Sequence, residues 1–276
     1  MIKKVKNLVA QIYQIRNDLV VSRLHESELL IRSILSQEKY KDPKNLARYT
    51  RKSFSQFGED GLISEIFNRI GTGNRYFVEF GVGDGMENNT CFQLVANKWS
   101  GSWIEGSEKS CESIKSKFSR YLTSGKLKLK NSFITSKNIE TLFEELSVPK
   151  EFDLLSIDID GNDYHIWKAI TKFSPRVLVI EYNASFGPDA EYNVEYAENF
   201  VWDGTNNFGS SLKAFEILGA EKGYSLVGCD LAGINAFFVR NDLLGDRFQN
   251  PLTSSFHYEP ARYFLNYFGG HPANVG

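Results

Sequence analysis

Two clusters of side chains in this sequence could do chemistry. The first is the segment 79–85, acid-Phe-Gly-Val-Gly-Asp-Gly, which carries Glu79, Gly81, Gly83 and Gly85. The second is the segment 158–163, Asp-Ile-Asp-Gly-Asn-Asp, followed by Glu181 and Asn183. Glycines where a strand gives way to a helix let a ligand approach the backbone, and the helix start offers free N–H groups. The first segment approximates a dinucleotide fingerprint, but Met86 stands three places after Gly83, where that pattern wants a small residue. Glu79 also sets a carboxylate where a pyrophosphate would lie, and like charges repel. A cationic donor has the opposite need. S-adenosylmethionine (SAM) carries a sulfonium and an ammonium and no phosphate. Glu105 closes the next strand, where an acid accepts hydrogen bonds from both ribose hydroxyls. The expected cofactor residues are therefore Glu79, Gly81, Gly83, Gly85, Glu105 and Asp158.

The second cluster offers hard oxygen donors. Asp158, Glu181 and Asn183 could together hold Mg²⁺ or another divalent cation, which would explain converging acids and would lower the pKa of a substrate hydroxyl. The alternative is that Asp158 orients the methionine end of SAM while Asp163 caps the next helix. His165, in the first turn of that helix, is a possible general base, and Asp160 is a rival for the role. His165 could equally be polar filler at a helix start.

The elements that must position these groups are legible from periodicity. Apolar runs at 76–80, 102–105, 127–134, 152–159 and 177–181 read as strands. Helical patterns fall between them at 88–98, 108–121, 137–146 and 164–173, with another at 62–70 before the first strand. A helix at 210–222 and strands at 224–229 and 236–240 close the pattern. Strands alternating with helices imply a mainly parallel sheet covered on both faces. The last two strands have too few residues between them for a parallel crossover, so they pair antiparallel. Residues 184–209 form a long irregular stretch rich in aromatics, including Tyr196, Phe200 and Trp202, and predict an ordered lid over a sugar or another polyhydroxylated ring. Those aromatics could instead pack the lid to the core. The tail, with Phe256, His257 and Tyr258 and then Gly269, Gly270, His271 and Pro272, is expected to wrap the domain or reach a neighbouring subunit.

Residues 1–52 stand apart. Val5, Leu8, Ile12, Ile15 and Leu19 recur at spacings of three and four and predict one or two helices within 2–37. Ser22 and Glu26 break the heptad, which favours packing on a partner subunit or on the main domain over a long coiled coil. Lys3, Lys4 and Lys6 beside the stripe could rest on a membrane surface. The stretch 37–52 reads as a linker, and 53–276 as the main domain.

Composition narrows the setting. The chain has 276 residues, 42% hydrophobic, with a formal net charge of -2, which gives no reason to expect nucleic acid. No apolar run is long enough to span a bilayer, and no signal core follows the N-terminal lysines. Cys91, Cys111 and Cys229 are too far apart for a zinc site and suit a reducing, cytoplasmic setting.

Taken together, the stretches from Ser55 (Ser-Gln-Phe-Gly-Glu-Asp-Gly), Glu79, Asp158 and Ile180 (Ile-Glu-Tyr-Asn) resemble the FkbM-type SAM-dependent methyltransferases. The resemblance spans about 55–243. It implies a Rossmann-like, doubly wound, seven-stranded α/β sheet with an antiparallel last strand. It also implies O-methylation of natural products or glycans, including sugars of bacterial surface polysaccharides. Metal-dependent relatives, such as catechol O-methyltransferase and the macrolide-sugar enzymes, place acids where Asp158 and Glu181 stand. They follow the second acid directly with an amide or acid, whereas Tyr182 intervenes here before Asn183. Their histidine base falls at Gly161, so it does not carry over. Two other readings stay open: an NAD(P)-dependent oxidoreductase, and a non-catalytic methyltransferase-like scaffold that recruits partners through the N-terminal helices; whichever holds, those helices could also form a homo-oligomer.

Overall fold

The computed structural model describes residues 2–265 and 275. Helix α1 (Ile2–Leu35) is a single continuous helix. Helix α2 (Glu59–Ile70) leads into β1 (Tyr76–Phe80), and the chain then alternates: α3 (Cys91–Val95), β2 (Ser100–Glu105), α4 (Glu108–Lys117), α5 (Ser119–Thr123), β3 (Leu127–Asn131), α6 (Ile139–Glu145), β4 (Glu151–Ile157), α7 (Asp163–Ala169) and β5 (Ser174–Glu181). Helix α8 (Leu212–Lys222), β6 (Tyr224–Cys229), β7 (Asn235–Arg240) and the short α9 (Ser254–His257) complete it.

The seven strands form one sheet in the order β3-β2-β1-β4-β5-β7-β6. Only β7 runs against its neighbours, β5 and β6. This is the Rossmann-like, doubly wound sheet expected from the sequence. Both faces are buried because both sets of alternate side chains are apolar. Val177 and Val179 join one core with Phe77, Leu62 and Ile66. Leu178 and Ile180 join the other with Val78, Phe143 and Trp167. The order reverses between β1 and β4, so the crevice beyond their C-terminal ends is the natural ligand position.

Several expected elements are shorter than the periodicity suggests. The pattern at 88–98 yields a helix only over Cys91–Val95, because Asn88, Asn89 and Thr90 are drawn into bonds with each other's neighbours and with Glu79. The stretch 37–52 is not a linker. Tyr40 and Leu46 are buried, the Tyr40 hydroxyl donates to the Glu259 carboxylate at 2.8 Å, and the Asn45 amide donates to Gln249. The tail wraps the domain as far as it is described: the Tyr258 hydroxyl donates to the Ala184 carbonyl and Arg262 pairs with Glu259. Gly269, Gly270, His271 and Pro272 lie outside the described residues. Among the described residues, no helix is long and apolar enough to cross a membrane.

Candidate functional site

A cleft of about 730 Å³ opens over the C-terminal ends of β1, β2 and β4. Its floor is the turn Gly81, Val82, Gly83; one wall is Glu105, Ser107 and Phe133, and the other is Asp158, Ile159 and Asp160. Phe200, Val201 and Trp202 close it from above. This volume is in the range that encloses a small-molecule cofactor.

The floor needs its glycines. Gly81 has φ +65°, and a Cβ there would sit 1.7 Å from the Asp158 carbonyl oxygen. The β1 turn therefore packs directly on the end of β4, and no other residue fits. Gly83 also has positive φ (+55°), but its missing side chain faces open space. Its N–H donates to one oxygen of Glu105 at 2.9 Å, while the other oxygen accepts from Ser107 at 2.8 Å. Glu105 is thus clamped between two backbone donors at the edge of the cleft.

Two expected cofactor residues lie elsewhere. Glu79 is buried beneath the glycine turn and is not on the cleft wall. Its carboxylate accepts from the N–H groups of Asn89 and Thr90 and from the Thr90 hydroxyl. It shapes the loop that follows the glycines. Burial pushes its pKa up to about 7 against the pull of those donors. Gly85 faces Trp103 and Phe118, which a Cβ would meet at 2.8 and 2.7 Å, so its small size serves packing beneath the loop.

The acidic cluster converges, with one change of membership. Carboxylate oxygens of Asp158, Asp160 and Glu181 lie within 4.8 Å of one another. Asn183 is not with them. Its amide donates to the Asn206 and Phe208 carbonyls, and its oxygen accepts from Ser185. Asn183 lies past the end of β5 and caps the turn at 184–186, so its side chain is committed to that turn and to the lid. Asp160 takes the third place instead, held in the left-handed region at φ +60°. Asp163 fixes this loop by accepting from the N–H groups of Ile159 and Gly161, with its pKa raised to about 6 by burial.

These acids repel one another. Burial comes first in raising Asp158 and Glu181, and the nearby carboxylates add to it: Asp163, Asp160 and Glu79 around Asp158, and Asp158, Asp163 and Asp160 around Glu181. At the opposite end of β4, Asp153 meets Arg176 at 2.6 Å. The contrast is between an acid that is neutralised and a group that is not. The second oxygen of Glu181 is buried without a hydrogen-bond partner. These three acids, with one Glu181 oxygen unsatisfied, form a group that could hold a metal ion.

His165 is not in the cleft. Its Nε2 bonds the Val194 carbonyl at 2.8 Å and its ring packs edge-on to Tyr196. It anchors the lid and does not face the cleft as a base would. Asn162 does the same work from the start of α7, bonding both the N–H and the carbonyl of Ala197. Gly161 lets Phe200 lie over the loop, since a Cβ would come 2.2 Å from that ring. The 184–209 stretch is therefore tied to the sheet edge by Asn162, His165 and Asn183. Gln56 and Phe133 were given no role by the sequence, and the lid anchors His165 and Asn183 were given other ones. Phe133 carried a usable signal, standing just past the end of β3 at the ligand-binding edge.

No family model matches this chain, and no curated protein matches it. Among solved structures, it is similar to an O-methyltransferase from Bacillus cereus in complex with SAH, at 16% identity over 79% of this chain and 89% of that one, with a TM-score of 0.44. It is also similar to a SAM-dependent methyltransferase from Clostridium acetobutylicum, at 13% identity over 64% and 89%, with a TM-score of 0.40. At these values only the chain's own cleft bears on what it does.

Proposed function

We propose that this chain is a SAM-dependent O-methyltransferase acting on a hydroxyl of a sugar or glycan, with help from a divalent cation. The observation that carries the proposal is the charge of the cleft. Its wall holds Glu105, Asp158 and Asp160 together with Asp84 and Glu87, which pair with Lys117 and Lys52, and no lysine, arginine or histidine is among the described residues that line it. A pyrophosphate-bearing coenzyme would be repelled there, and a sulfonium would be attracted. This disfavours the NAD(P) reading more strongly than Glu79 does from beneath the turn.

SAM when bound would supply an electrophilic methyl group. Glu105 is placed to accept hydrogen bonds from a ribose, held ready by the Gly83 and Ser107 N–H groups. Asp158, Asp160 and Glu181 would hold the cation, which would acidify an acceptor hydroxyl. Asp160, the exposed member of the three, is the group best placed to take a proton from that hydroxyl. The lid presents Phe200 and Trp202, whose faces suit the apolar side of a sugar ring. Positioning and electrostatics would carry the rate. The three cysteines are free and buried, which suits a reducing cytoplasm.

Calorimetric titration tests this directly. SAM is expected to bind the wild type and to lose affinity about tenfold or more in Glu105→Ala, by the removal of two strong acceptor bonds. Absence of SAM binding under every condition removes the proposal. Turnover that is indifferent to EDTA removes the cation alone, and tight NADH binding restores the oxidoreductase reading.

A further inference from the structure

The loop that leads into α2 is pinned by two buried carboxylates. One Asp60 oxygen accepts from the N–H groups of Ser53, Phe54 and Ser55, and the Ser55 hydroxyl accepts from the Asp60 N–H. Glu59 accepts from the Phe57 N–H with one oxygen and from the Asn235 amide of β7 with the other. Burying a carboxylate is costly, and here the hydrogen bonds of each one fix the path of this loop. Ser55 and Phe57 are buried, and Gln56 between them is exposed and lines the cleft. Its carbonyl accepts from Lys52 at 3.3 Å, while its side-chain amide bonds nothing among the described residues.

We propose that Gln56 donates a hydrogen bond from Nε2 to the α-carboxylate of SAM. This rests on the SAM reading above. SAM brings that anion into the cleft together with its sulfonium. The acids that attract the sulfonium repel the carboxylate, and no cationic side chain is among the described residues that line the cleft. The carboxylate therefore needs neutral donors. In the glycine turn, the N–H groups of Gly81, Gly83 and Gly85 are already bonded, to the Ile104 carbonyl, to Glu105 and to the Val82 carbonyl. On the walls, the Asn162 amide and the Trp202 indole donate to the Ala197 and Thr205 carbonyls of the lid. The Gln56 amide has no such commitment. Its position agrees with the role. Glu105, placed for the ribose, ends β2 on one side of β1, and the Gln56 loop is tied through Glu59 to β7 on the other side. A SAM molecule with its ribose at Glu105 extends its amino-acid end across the glycine turn toward Gln56.

Calorimetric titration of the full chain with two ligands tests this. The second ligand is decarboxylated SAM, which keeps the sulfonium and the ammonium and lacks only the carboxylate. Gln56→Ala is expected to weaken SAM about tenfold, the usual loss of a hydrogen bond to a charged group, and to leave the decarboxylated form unchanged. Gln56→Glu sets a negative charge against the carboxylate, so it is expected to weaken SAM further than Gln56→Ala does and to tighten the decarboxylated form. Thermal melts of both variants should match the wild type, since the side chain is exposed and bonds nothing. Unchanged SAM affinity in Gln56→Ala, an equal loss for both ligands, or Gln56→Glu binding SAM as well as Gln56→Ala overturns the role of Gln56 and leaves the SAM reading standing. A wild type that binds neither ligand overturns both.

Discussion

At the scale of single residues, the site is set by acids whose neighbours differ. Glu79 is surrounded by donors yet fully desolvated, and its pKa rises from 4.5 to about 7. The folded state therefore holds a proton that the unfolded chain releases. Its stabilising share is complete below about 4.5 and lost as pH rises through about 7, a loss of roughly 3 kcal/mol at about 1.4 kcal/mol per pKa unit. Thermal melts across that window should fall with pH in the wild type and fall less in Glu79→Gln, which cannot ionise; parallel curves would refute it. The glycines separate in the same way. Gly81→Ala meets backbone at 1.7 Å and should abolish SAM binding or folding. Gly83→Ala meets nothing and should cost only about 1–2 kcal/mol for its left-handed backbone. Equal denaturation midpoints for the two variants would contradict this. Of these residues, the glycines and acids were legible as types and spacing. That Glu79 and Gly85 serve the loop and that Asp160 replaces Asn183 was not, because each depends on partners in the following loops that leave no local pattern.

At the scale of elements, the lid is a loop with its own anchors. Asn162 holds Ala197, His165 holds Val194, and Asn183 holds the stretch before Gly209. Losing one neutral side-chain bond costs about 1 kcal/mol, too little to unfold the sheet. The double variant Asn162→Ala, His165→Ala should therefore raise the acceptor KM and expose 184–209 to limited proteolysis, with SAM affinity and melting temperature nearly unchanged. An unchanged KM would show that the lid does not take part in acceptor binding. The stretch could be recognised in the sequence as ordered because it is long and aromatic. Its anchors could not, since each joins residues 23 or more positions apart through a backbone carbonyl that any residue offers. The helices were located by period but not bounded by it. At 88–98, bonds from Asn88 and to Glu79 outcompete the helix that propensity suggests.

At the scale of the whole molecule, one sheet edge collects carboxylates while the other pairs its acid with Arg176, and a long helix projects from the body with its apolar stripe bare. The sheet gives the cleft its sign. The sequence alone determined the alternation of strands and helices, the buried character of both sheet faces, the antiparallel final pair and the glycine-and-acid edge. All of these follow from local periodicity and from how short a connection can be. Tertiary structure alone decided which acids meet, which polar side chains hold the lid, and that 37–52 is packed. Those depend on the side-chain direction at each strand end and on contacts between distant parts of the chain, neither of which leaves a local pattern.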